Sequence, residues 1–222
     1  MKTIVFDLDG TLIDSLPDVQ VALNHGLDQF GYPSLSVNSV KRMVGGGALS
    51  LVESALASFG GDQNHAASIS TEFKSYYSAH PVVKTTIYPF VIEALEILNG
   101  QGFKLGICTN KPEATTYPVL KKLDLERYFA SIICGDSLAY KKPDRRHLLD
   151  VVTEIGGTGE TSVYVGDSET DVETAKTAGV PIILMSYGYA HKPVNDLAAD
   201  VVLDVFSEVP GSVEALLSTR GS

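Results

Sequence analysis

The chain has 222 residues, 44% of them hydrophobic, and 17 Lys and Arg against 27 Asp and Glu give a formal net charge of −10. That is ample apolar matter for one large domain, or one domain carrying an insertion. It is too little positive charge for a broad phosphate-backbone interface, so nucleic acid is excluded as a partner while small phosphorylated ligands are not.

The first predicted element is a buried strand, Ile4–Phe6, which runs into Asp7 and Asp9 with one leucine between them, followed by Gly10 and Thr11. Residues 15–80 show helical periodicity and no convincing strand. Val19, Leu23, Leu27 and Phe30 share the face of one helix. Val37, Val40 and Val44 mark a second, with Ser36 as its N-cap. Leu49, Val52, Leu56 and Phe59 mark a third, and Ile69, Phe73, Tyr76 and Tyr77 a fourth. Ser15 and Asp18 are expected to cap the first helix, and the chain returns from this bundle at about 81–88. After Pro89 a helix is predicted, with Val91, Leu95 and Leu98 on its covered face. From there short apolar runs alternate with helices. Strands are expected at 103–108, 130–135, 162–167, 181–185 and, at the edge, 200–203, and helices at about 112–123, 144–155, 169–178 and 207–218. Near-continuous apolar strands alternating with helices predict an α/β fold, a Rossmann-like parallel sheet covered on both faces. The expected division is a core of 1–14 and 84–222 with an inserted all-helical domain of 15–83. No apolar run approaches the ~20 residues of a membrane span. The N-terminal run is too short for a leader, and Cys108 and Cys134 read as buried free thiols. A cytoplasmic protein without membrane contact is expected, monomer or homodimer.

In open α/β sheets, ligands bind beyond the carboxyl ends of the strands. Four predicted strands deliver polar residues there: Asp7 and Asp9; Thr109 and Asn110; Lys141 and Lys142; Asp167, Ser168 and Asp171. Any one of these reads equally well as a turn or N-cap residue; the set at one edge does not. Buried side by side, Asp7 and Asp167 would repel, and Mg²⁺ resolves that with one or two carboxylates, waters and a phosphate oxygen. Lys142 and Thr109 can bind phosphoryl oxygens, and the amides of the Gly10–Thr11 turn can point at an anion. An aspartate can itself serve as a nucleophile in phosphoryl transfer.

DLDGT at 7–11, TN at 109–110, KP at 142–143 and GDSETD at 166–171 resemble, in order and spacing, the motifs of the haloacid dehalogenase superfamily, and the helical insertion looks like that family's all-helical cap. Among its subgroups, DLDGTLIDS, MVGGGALSLVESAL at 43–56, TNKPEAT at 109–115 and CGDSLAYKKPD at 134–144 most resemble phosphoglycolate phosphatases. The resemblance implies that Asp7 is the nucleophile and that Asp9 protonates the leaving alkoxide and then activates water. It implies Mg²⁺ on the Asp7 side chain, the Asp9 carbonyl and the Asp167 side chain, with Ser168 and Asp171 supporting from behind. Thr109 and Lys142 would contact the phosphoryl group, aided by Asn110. Lys142 is preferred over Lys141 because it directly precedes Pro143. Arg145 stands where the family commonly has a second proline, which bears on the start of the next helix.

The implied partner is a small phosphorylated metabolite. If it is 2-phosphoglycolate, its carboxylate needs a cation or converging N–H groups. Arg42 and the glycines Gly45, Gly46 and Gly47 are the candidates in the helical domain, although Arg42 reads equally as a solvated residue and the glycines as a bare loop. A dehalogenase shares the fold but needs neither Asp9 nor a metal. A phosphosugar mutase would share the aspartyl phosphate. A phosphonate hydrolase would need a Schiff-base lysine such as Lys41, with nothing to support it. A catalytically dead binding module is disfavoured because no catalytic position is missing. The five histidines form no ligand spacing.

Overall fold

A computed structural model describes residues 1–220. In chain order the strands are β1 (Thr3–Phe6), β2 (Ile13–Asp14), β3 (Thr86–Ile87), β4 (Lys104–Cys108), β5 (Ser131–Ile133), β6 (Ser162–Gly166), β7 (Ile182–Met185) and β8 (Val201–Leu203). The helices are α1 (Leu16–Asp28), α2 (Val37–Lys41), α3 (Ala48–Ser58), α4 (Ala66–Ala79), α5 (Val91–Gly100), α6 (Glu113–Lys122), α7 (Arg145–Glu154), α8 (Glu169–Ala178) and α9 (Val209–Arg220). Two compact units result: Met1–Ile13 with the chain from Ile87 onward, and Asp14–Thr86.

The first unit is built on a six-stranded sheet in the order β5-β4-β1-β6-β7-β8, parallel throughout. Every residue of β1, β6 and β7 is buried, as a sheet covered on both faces requires. This is the expected α/β architecture, and each predicted strand is present, with β8 at the edge. The polar exceptions inside it are paired: Thr3 and Ser162, on adjacent strands, join hydroxyls at 2.6 Å. Cys108 and Cys134 are buried free thiols, as expected. Burial pushes the Cys134 thiol up to about 11.

The second unit holds α1 to α4. Ser36 caps α2 by accepting from the Ser39 N–H at 3.2 Å. Two expectations fail here. The apolar face assigned to α2 runs past its end, because the helix stops at Lys41 before a glycine run, and Val37 and Leu49 are exposed. Asp18 does not cap α1 either. Its buried carboxylate accepts from the N–H groups of Val83, Lys84 and Thr85 at 2.8–3.0 Å and from the Thr85 hydroxyl at 2.7 Å. It thus ties the returning chain to the first helix. Burial alone would raise the Asp18 pKa, but these donors prevail and hold it below the usual aspartate value. The chain crosses between the units at β2 and β3, which pair with each other. Two-residue strands carry no periodicity, and sequence reading missed both.

Candidate active site

Register explains why the polar residues meet. Phe6, the last residue of β1, lies opposite Ile107 of β4 and Val165 of β6. The residues just beyond these three strands, Asp7, Thr109 and Asp167, therefore leave the sheet together. Asp7 still donates its N–H to Val165 at 2.9 Å. The strand then ends. Leu8, fully buried, turns its carbonyl to accept from the amides of Thr11, Leu12 and Ile13 at 2.9–3.3 Å.

This turn corrects one expectation. The amides of Gly10 and Thr11 are not presented to an anion: Gly10 donates to Ile13 at 2.9 Å and Thr11 to Leu8 at 3.3 Å. The Thr11 side chain instead donates to Asp167 Oδ1 at 3.0 Å, and the Tyr189 N–H donates to Asp167 Oδ2 at 2.6 Å. Gly10 has a positive φ of 88°. A Cβ at either Gly10 or Gly188 would overlap the Asp167 carboxylate, so both positions require glycine.

Asp7, Asp167 and Asp171 each bring a carboxylate oxygen within 4.8 Å of the others, all buried. Their electrostatics separate them. Asp171 Oδ1 takes Lys142 Nζ and the Tyr164 hydroxyl, both at 2.7 Å. Its Oδ2 takes the Asp167 and Ser168 N–H groups and the Ser168 hydroxyl at 2.7–3.2 Å. Burial opposes its charge, but Lys142 first among these partners outweighs burial and lowers its pKa. It is a saturated anion. Asp7 and Asp167 are the reverse: burial and the neighbouring carboxylates raise both, Asp7 to about 6 despite the nearby Lys142 charge. Lys142 Nζ lies 2.9 Å from Asp7 Oδ1, yet off hydrogen-bond geometry, so that buried oxygen has no hydrogen bond. Two buried carboxylates, both raised by burial and by the Asp171 charge, one oxygen without a hydrogen bond and an all-oxygen donor set fit a hard divalent cation. Asp171, with five donors, is left to hold Lys142.

Lys142 is 4% exposed. Burial disfavours its charge, and Asp171 followed by Asp7 more than restores it, raising its pKa. Lys141 is exposed. The Lys142 loop is held by Asn110, whose Nδ2 donates to the Lys142 carbonyl at 3.0 Å. Where the second proline is missing, Asp144 starts α7 by accepting from the Arg146 N–H at 3.0 Å. Thr109 is buried, and its Oγ1 accepts the Lys111 N–H at 3.2 Å, which leaves its proton for another acceptor.

Two residues escaped sequence reading. Lys111 sends Nζ to both oxygens of Asp9, at 3.0 and 3.1 Å; its place directly after Asn110, at the same sheet edge, was the available signal. Tyr164, hidden as one more apolar residue of β6, places its hydroxyl 2.9 Å from Lys142 Nζ, and that hydroxyl contacts Asp171 Oδ1 and the Cys108 carbonyl. Arg42, Gly45, Gly46 and Gly47 lie in the second unit, all exposed, with Arg42 closing α2 and Gly47 preceding α3.

A family model for haloacid dehalogenase-like hydrolases matches residues 4–185. A Rhodospirillum rubrum protein named phosphoglycolate phosphatase is 40% identical over 94% of this chain and 89% of its own length. One of the same name from Agrobacterium fabrum is 38% identical over 98% and 94%. A crystal structure of a "predicted phosphoglycolate phosphatase" from Haemophilus somnus superposes with a TM-score of 0.89 at 29% identity, covering 96% of this chain and 97% of that one. With its polar residues gathered beyond β1, β4 and β6 and a family match across most of its length, the chain belongs to the haloacid dehalogenase-like hydrolases.

Proposed function

We propose that this chain is a Mg²⁺-dependent phosphomonoester hydrolase acting on 2-phosphoglycolate through an aspartyl phosphate on Asp7. The observation that carries the chemistry is the buried pair Asp7 and Asp167, both raised by burial, with the Lys142 ammonium beside Asp7. The substrate is supported by the relatives named phosphoglycolate phosphatase, which match nearly the whole chain.

Asp7 attacks phosphorus, and the bond from phosphorus to the glycolate oxygen breaks as Asp9 delivers a proton to that oxygen. Water then attacks phosphorus, Asp9 takes its proton, and inorganic phosphate leaves with Asp7 regenerated. Lys142 neutralises the phosphoryl charge, locked in place by Asp171 and Tyr164. The Thr109 hydroxyl donates to a phosphoryl oxygen. A magnesium ion held by Asp7, the Asp9 carbonyl and Asp167 would neutralise the remaining phosphoryl charge. Asp14–Thr86 is assigned the role of a substrate-selecting cap, with Arg42 and Gly45–Gly47 as its candidates for the substrate carboxylate.

The test is a phosphate-release screen with Mg²⁺ over phosphoglycolate, sugar phosphates, nucleotides and pyrophosphate. Phosphoglycolate should give the highest kcat/KM. A higher value for another ester overturns the substrate, and no release from any overturns the reaction.

A further inference from the structure

We propose that Lys111 is the positioning residue that aims the Asp9 carboxyl group at the substrate's leaving oxygen. The inference deepens the reading of Asp9 as general acid and rests on it.

Both oxygens of Asp9 are engaged by one ammonium group, at 3.0 and 3.1 Å. The two partners are unequal: the Lys111 side chain is 4% exposed and that of Asp9 25%. Exposed ion pairs fix little, because both side chains remain mobile and solvated. A lysine buried to this degree is different, since its charge requires a partner and its stem is packed. The Lys111 backbone is pinned as well. Its N–H donates to Thr109 Oγ1 at 3.2 Å, and its carbonyl accepts from the Gly135 N–H at 3.0 Å. A fixed cation therefore holds a half-open carboxylate that stands on a turn beyond the end of β1. The same loop carries Thr109, so one short segment sets both the phosphoryl contact and the proton-transfer group. Catalysis is sensitive to such placement: an error near 1 Å in a reacting group costs about a hundredfold.

The experiment compares leaving groups. Phosphoglycolate and ethyl phosphate expel basic alkoxides that need a proton, whereas p-nitrophenyl phosphate expels a stable anion. The rate read is that of leaving-alcohol release in a single turnover, which precedes the water step that Asp9 also serves; Asp9→Asn supplies the reference, with a large loss on the two alkyl esters and a small one on the aryl ester. Lys111→Met should follow the same profile, losing about 10- to 100-fold in that single-turnover rate on both alkyl esters and only a few-fold on the aryl ester. Lys111→Arg, which keeps the cation, should recover part of the loss. In the double variant, Lys111→Met should add less than about twofold to Asp9→Asn, because both act through one group. Thermal melting of each variant separates these effects from unfolding, and Lys111→Arg carries the test if Lys111→Met does not fold.

If Asp9→Asn shows the graded loss but Lys111→Met loses nothing, loses equally on all three esters, or adds its full effect to Asp9→Asn, the positioning role is overturned. A loss by Lys111→Met on phosphoglycolate alone overturns it too, since Lys111 would then serve the substrate carboxylate. If Asp9→Asn itself loses equally on all three esters, Asp9 is not the acid, and the inference falls with that reading.

Discussion

Lys142 Nζ lies 2.7 Å from Asp171 Oδ1, and neither side chain is more than 3% exposed. This pair is the fixed electrostatic point of the site. It restores the charge that burial takes from Lys142 and leaves Asp7 and Asp167 as the carboxylates still in want of a cation. Asp171→Asn should leave Lys142 with a weakened partner and the α8 N-terminus with a weaker cap. Removing one member of a buried pair costs about 3–5 kcal/mol. Urea unfolding should show a loss on that scale alongside a large fall in kcat; unchanged stability would contradict the role given to Asp171.

Metal dependence follows from the Asp7–Asp167 pair. Exhaustive treatment with EDTA should abolish turnover, and Mg²⁺ should restore it. Ca²⁺ should inhibit, because its larger and looser coordination suits in-line displacement poorly. Full activity after chelation would refute the metal-holding role of Asp167.

The Asp18 clasp yields a pH prediction. Its folded pKa lies below the ordinary value, so the stability it contributes is present above the unfolded aspartate value of about 3.9 and is lost as pH falls through the lower folded value. Asp18→Asn should therefore lower the melting temperature at neutral pH, and the gap to the parent should close under acid conditions. A gap that is constant from pH 7 down to strongly acid solution would show that the charge is not what matters.

Arg42→Ala should weaken phosphoglycolate turnover by roughly 1.5–3 kcal/mol in kcat/KM, the scale of a charged hydrogen bond. It should barely affect p-nitrophenyl phosphate, which has no carboxylate. Equal losses on both substrates, or none on either, would move the search to other residues of the Asp14–Thr86 unit.

The sheet was legible because its strands are short apolar runs, buried on both faces, that alternate with longer segments of helical period. The polar set at its edge was legible for a related reason: residues that directly follow such strands must gather where the strands end. What escaped depends on distance in the chain or on one atom of a side chain. Lys111 beside Pro112 reads as a surface loop until Asp9, 102 positions away, is seen to receive it. The Tyr164 ring fits the apolar pattern of β6, and only its hydroxyl betrays the contact with Lys142. Asp18 matches an N-terminal helix acid by every local rule, yet its partners lie 65 to 67 residues on. The Gly10–Thr11 amides were misassigned because a turn pattern does not reveal that Ile13 and Leu8 already accept from them.

In the proposed reaction the phosphoryl group passes through Asp7. Asp9→Asn, slow to complete the cycle, should be mixed with p-nitrophenyl phosphate and Mg²⁺, quenched in acid, digested and examined by mass spectrometry. A phosphoryl group is expected on the peptide holding Asp7, localised to that residue, and none when Asp7 is also replaced by Asn. Phosphate on another residue, or undiminished turnover by Asp7→Asn alone, would contradict it.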